Sequence, residues 1–182
     1  MTGLDRLEAL LRDQPRRPPL ERWQPPLSGR MDLRIDARGD WYHEGGLIQR
    51  AALVNLFASV LRREEDGHYY LVTPQEKWQI EVEDAPLLAV TMAVAGEGDE
   101  QRIAFTLNVG WHVPLDADHP LQVVTQSNGE PRPYLALEHG LTARLTRPLF
   151  YELVDLGEWR GETLGIVSAG KWFELGAVDG RD

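Results

Sequence analysis

The sequence predicts an α+β fold made of two related strand–helix–hairpin units, and three observations lead there. The chain has two lysines, Lys77 and Lys171, and each stands directly before a tryptophan, 94 residues apart. With six tryptophans among 182 residues, chance places both lysines so about once in a thousand, so the pair reads as the echo of an internal repeat. Leu56-Phe57 and Val60-Leu61 match Leu149-Phe150 and Leu153-Val154 at an offset of 93, as Trp41 matches Tyr134. Around these anchors, segments alternating at period two flank segments with apolar residues at helical spacing.

The elements follow in order. Leu4, Leu7, Leu10 and Leu11 recur at helical spacing, so residues 3–13 form a short amphipathic helix that must pack on something. Pro15, Pro18, Pro19, Pro25 and Pro26 then make an extended arm with Trp23 and four arginines, read either as a polyproline ligand or as a strap with Trp23 inserted. Met31, Leu33 and Ile35 alternate as a strand, a turn follows at residues 36–39, and Trp41-Tyr42-His43 returns. Residues 50–62 read as a helix ending at Arg62-Arg63, where cations suit the negative end of the dipole. Strands follow at 68–73, 77–83, 87–95 and 102–110. The nearly all-apolar 87–95 segment is expected to be central, and residues 96–99 are the loop of the last hairpin. Beyond Pro114 come strand 121–126, an Asn128-Gly129 turn, a strand restarting at Tyr134, a second helix over 146–156, and strands 163–168 and 171–176. The division expected is an arm over 1–26, a first half over 27–113 and a second half over 114–182.

Composition bounds the function. The formal net charge of −10 argues against a general nucleic-acid binder, which needs a basic surface. The absence of cysteine excludes disulfides, thiolate metal sites and thiol catalysis. The N-terminal segment has no apolar core of a signal peptide, and no run approaches the length of a membrane span. A soluble cytoplasmic protein is the expectation.

The segment from Leu61 to Leu88, LRREEDGHYYLVTPQEKWQIEVEDAPLL, resembles the signature of a proteobacterial domain-of-unknown-function family, number 1285. Further pieces stand in the same order: Glu21-Arg22-Trp23-x-Pro-Pro, Gly46-x-Ile48-x-Arg50, Asp118-His119-Pro120-Leu121 and Gly129-Glu130-Pro131-Arg132-Pro133-Tyr134. The resemblance covers residues 20–176. It implies a duplicated core, a C-terminal half resembling a pleckstrin-homology barrel, a ligand site between the halves and a role in signalling. It implies no particular activity.

Candidate residues follow from side-chain chemistry. Arg50, Arg62 and Arg63 can clamp phosphate or carboxylate, because guanidinium forks bind these bidentately; the competing reading is a solvated turn. Lys77 lies on the tight connection begun by Thr73, which either binds a ligand or caps the turn. Glu81, Glu83, Asp84, Asp116, Asp118 and His119 raise a carboxylate metal site, but no ligand spacing supports one, so no metal or cofactor is expected. No catalytic motif is present, so the protein is read as a non-enzyme. The expectation is a binding or regulatory module. Its cleft, lined by Arg50, Arg62, Arg63, Lys77, Asp118, His119, Arg132 and Tyr134, holds an anionic, nucleotide-like ligand or a peptide. The other reading is a protein-interaction adaptor using the arm or a strand edge.

Overall fold

The computed structural model describes residues 3–12 and 16–178. Asp13 and Pro15, which the sequence places in the first helix and the arm, lie outside them. Helix α1 (Gly3–Arg12) has Asp5 in its first turn and Arg12 in its last, both complementing the helix dipole. Its Leu7 is buried with Ala95 and Ala104, a small cluster separate from the main core. No helix among the described residues is long and apolar enough to cross a membrane.

The first unit contains β1 (Gly29–Ile35), β2 (Trp41–His43), β3 (Gly46–Leu47), α2 (Ala51–Ser59), β4 (Leu61–Arg63), β5 (Tyr69–Val72) and β6 (Lys77–Val82). These strands form one sheet in the order β3-β2-β1-β6-β5-β4, with β1 and β6 parallel. The period-two alternation of β1 buries Leu33 and Ile35. Asp36 Oδ1 closes the following turn by accepting the amides of Arg38 and Asp40.

The expected helix over 50–62 is shorter, and its end is a strand. The chain leaves helical space at Val60 (φ −113°, ψ 11°), and Leu61–Arg63 pairs with Tyr69–Leu71. Arg62 therefore does not sit at a helix terminus; it is buried in β4. A β-branched residue at the boundary and a partner strand outweigh an apolar run that fits either period. Leu56, expected on the buried face, is exposed, while Val54 and Phe57 pack on the core.

The second sheet has the order β10-β11-β12-β7-β8-β9, from β7 (Leu87–Ala95), β8 (Arg102–Leu107), β9 (His112–Pro114), β10 (Leu121–Thr125), β11 (Pro131–Ala136) and β12 (Thr142–Leu145). The apolar β7 is interior, as expected, and runs parallel to β12. After α3 (Arg147–Asp155), strands β13 (Glu158–Arg160), β14 (Thr163–Ser168) and β15 (Lys171–Ala177) form a third sheet. One continuous core runs through both halves, from Leu33 and Trp41 to Leu149 and Phe173.

The duplication is plain in the order of elements. Three strands, a helix and three strands, β1 to β6 around α2, recur as β10 to β15 around α3. Strand β10 contacts β15 in the position that β6 takes beside β1, but β1 and β6 pair within one sheet while β10 and β15 stay in separate sheets. The helices begin at Ala51 and Arg147, 96 positions apart. That is three more than the side-chain match suggested, so the buried Leu149 answers Leu53 and not the exposed Leu56. The two Lys-Trp pairs open the last strand of each unit. Each tryptophan covers a glycine of a neighbouring strand: a Cβ on Gly29 would meet Trp78, and one on Gly165 would meet Trp172. The repeated dipeptide therefore serves the packing of both units.

Candidate functional site

The residues singled out from the sequence fall into three groups. The first fastens the arm. Arg62 Nη1 donates to the carbonyls of Leu20 and Trp23, both at 2.9 Å, and Nη2 donates to Glu64 Oε2 at 2.7 Å. Leu20 is fully buried, whereas Trp23 is only half-buried, so leucine and not tryptophan is the anchor of the strap. Lys77 Nζ reaches Glu64 Oε1 at 2.9 Å and lies 4.7 Å from the centre of the Tyr70 ring. Burial pushes the Glu64 carboxyl up, but its bonds to Lys77 and Arg62 outweigh this and hold it below the usual range. Asp66 accepts the Tyr70 hydroxyl and pushes that phenol up to about 12. Arg63 is exposed, with Nε on the Gly67 carbonyl at 3.3 Å. Thr73 caps the turn that leads into β6 by accepting the Glu76 amide. Donors already taken by Leu20, Trp23 and Glu64 tie Arg62 to the arm, so Arg62 does not form the anion clamp expected with Arg50 and Arg63. Arg50 stands exposed at the start of α2, outside all three groups.

The second group is a histidine held between two carboxylates. His119 Nδ1 meets Asp116 Oδ1 and Nε2 meets Glu138 Oε1, each at 2.9 Å. Burial lowers the affinity of the ring for a proton, but the bonds to Glu138 and Asp116 raise it more, and the imidazole titrates above its ordinary value. Glu138 also meets Arg17 at 3.5 Å, and Arg17 lies 4.4 Å from the centre of the Trp111 ring. This group is a second fastening of the arm. Asp118 is exposed beside it, and its amide donates to Asp116.

The third group builds a cleft. Strand β12 pairs with β11 only from Tyr134 onward. Proline has no amide to donate, so Pro131 and Pro133 end the ladder there. Strand β12 continues on β7, at Leu145 opposite Ala89, and the chain then turns into α3 with Pro148 in the first turn. The gap between the splayed strands is a cleft of about 310 Å³ lined by Arg132, Arg144 and Arg147, with Glu130, Phe150 and Tyr151. Asp84 stands beside it. The Tyr134 hydroxyl donates to Asp84 Oδ1 at 2.6 Å, while Arg144 and Arg132 approach Oδ2 at 3.5 and 3.7 Å. Asp84 Oδ2 and Arg144 Nε are buried and make no hydrogen bond. Burial, and then the bond to Asp84, raise the pKa of Tyr134.

Of the eight expected residues, Arg132 and Tyr134 belong to this third group, although Tyr134 holds Asp84 and does not line the cleft. Sequence reasoning missed Arg144 and Arg147. A signal for them existed, because Arg144 stands out of phase with the buried Ala143 and Leu145, and Arg147-Pro148 marks a helix start. Three guanidiniums facing the carboxylates of Asp84 and Glu130 make the cleft cationic in a chain of net charge −10. What such an arrangement can do is bind an anion bidentately.

The model of the domain of unknown function DUF1285, N-terminal domain, matches residues 18–85, and that of the DUF1285 C-terminal domain matches residues 86–175. The crystal structure of a DUF1285 family protein from Silicibacter pomeroyi DSS-3 superposes with a TM-score of 0.85 at 40% identity, covering 94% of this chain and 95% of that one. A DUF1285 family protein from Shewanella baltica OS155 superposes with a TM-score of 0.54 at 31% identity, covering 69% of this chain and 91% of that one. No curated protein matches the chain.

Proposed function

The chain belongs to the DUF1285 family, and for this member we propose a non-catalytic binding and regulatory module that takes a small anionic ligand in the arginine cleft. One observation carries the reading: Arg132, Arg144 and Arg147, from β11, β12 and α3, converge on one cleft of about 310 Å³. That volume lies at the small end of ligand pockets, suited to a phosphate or carboxylate with a modest body. The exposed ring of Tyr151 on the rim offers a stacking face for a nucleotide base. The second half, with β10 beside β15, is on this reading the pleckstrin-homology-like, ligand-holding half. Signalling is the process such a module would serve.

The fastened arm favours this reading over a protein-interaction adaptor. Arg62 binds its carbonyls and Arg17 stacks on Trp111, so the arm is held as a strap.

The test is a thermal-shift screen with nucleotides, cyclic nucleotides, phosphosugars and small acids. A ligand at 100 times its dissociation constant adds about 2.7 kcal/mol, a shift of several degrees. Arg132→Ala with Arg147→Ala should abolish the shift without unfolding the protein, since Arg147 is exposed and Arg132 only half-buried. A shift that survives the double variant, or no shift with any anion, sinks the reading.

A further inference from the structure

We infer that Asp84 is an internal competitor of the cleft's ligand, holding the affinity of the site for phosphate below what its arginines alone would give; this rests on the cleft being an anion site. The carboxylate is held in place by its neighbours and by Tyr134. Its neighbour Glu83 is fixed by Arg34 at 2.6 Å and by the Ala37 amide at 3.0 Å, and the following Ala85 is buried. Tyr134 holds Oδ1. The two arginines approach Oδ2 only at 3.5 and 3.7 Å, and Oδ2 makes no hydrogen bond. Charge therefore attracts the guanidiniums to Asp84 without a hydrogen bond to its Oδ2.

Arg144 is pinned by its Nη2 bond to the Ala37 carbonyl at 2.7 Å. Arg132 also meets the Tyr134 hydroxyl, but its half-exposed side chain lines the cleft and makes no bond to a backbone carbonyl that would pin it as Arg144 is pinned. An anion entering there offers Arg132 the bidentate geometry that Asp84 does not, but it must do so against the repulsion of the resident carboxylate. Asp84 lies in the N-terminal matched segment and the arginines in the C-terminal one. Withdrawing Arg132 from Asp84 thus loosens a tie between the halves, which gives binding a structural output.

The experiment titrates inorganic phosphate into the full chain, followed by NMR of the arginine Nε–H groups. Asp84→Asn keeps the shape and an acceptor for Tyr134, and should bind phosphate about tenfold more tightly than the native protein, the size of an ordinary site-to-site coupling. Tyr134→Phe frees the Asp84 carboxylate to close on the arginines and should weaken phosphate binding, which keeps the inference testable if Asp84→Asn does not fold. Equal or weaker binding by Asp84→Asn, or unchanged binding by Tyr134→Phe, overturns the inference and leaves the cleft as the site. Phosphate that binds neither the native protein nor Asp84→Asn overturns both.

Discussion

Arg62→Met separates the structural account of this arginine from the anion clamp that its sequence context suggests. Methionine keeps much of the aliphatic stem and removes every donor. Two bonds to carbonyls of the arm at 2.9 Å are lost, together with the pair to Glu64 at 2.7 Å. The bond to Leu20 is buried and the others are partly so. Glu64 retains Lys77, so it is not stranded. Hydrogen bonds from a charged donor contribute about 1.5–3 kcal/mol each when removal leaves a buried acceptor, and the set acts together, so the total is about 3 kcal/mol. For a domain of this size that lowers Tm by about 6–12 °C. The assay is calorimetry alongside limited trypsin digestion, which should now cut at Arg16 or Arg22 of the released arm. Phosphate affinity should not change. A Tm within about 2 °C of the native value, with the arm still protected, would refute the reasoning, since so small a change is that of an ordinary surface substitution.

Two further outcomes follow. The pKa of His119 is raised in the folded protein. Its contribution is therefore complete below the ordinary 6.5 and fades as pH rises through the raised folded value, whereas Glu138, lowered from 4.5, loses its contribution as pH falls through the lowered one. The fastening is strongest between those ordinary values. His119→Gln should flatten the alkaline loss of stability in urea melts, and an unaltered pH profile would count against the latch. Gly165→Ala places a Cβ inside the Trp172 ring and 2.7 Å from the Phe173 carbonyl. It should cost about 2 kcal/mol by overpacking, while Gly176→Ala, with open space around it, should be near neutral in the same denaturant melts.

Much of this fold was readable from periodicity, and the failures have particular causes. The helical leucines of α1, the alternation of β1 and the apolar β7 each obey one period over several residues, and each formed as expected. The end of α2 misled because Val60-Leu61 extends the helical spacing while belonging to a strand; only the pairing of Leu61 with Leu71 decides it. Strand β13 is three residues long and wholly exposed, too short to display a period. The site was half legible. Arg132 and Tyr134 stand in a proline-rich motif that draws the eye. Local pattern could mark Arg144 as facing away from the core and Arg147 as a helix start, but only the pairing of β12 with the distant β7 and its parting from β11 bring both beside Arg132. Lys77 and Arg62 drew attention by rarity and charge, and both turned out to hold the arm and the turn beside it.

The most direct measurement is a crystal structure of the protein grown with selenate, a dianion that anomalous scattering locates without ambiguity. The expected result is a peak within hydrogen-bond reach of Arg132 and Arg147, with the Arg132 side chain turned away from Asp84. Selenate bound only elsewhere on the surface, with Arg132 still directed at Asp84 Oδ2, would contradict it.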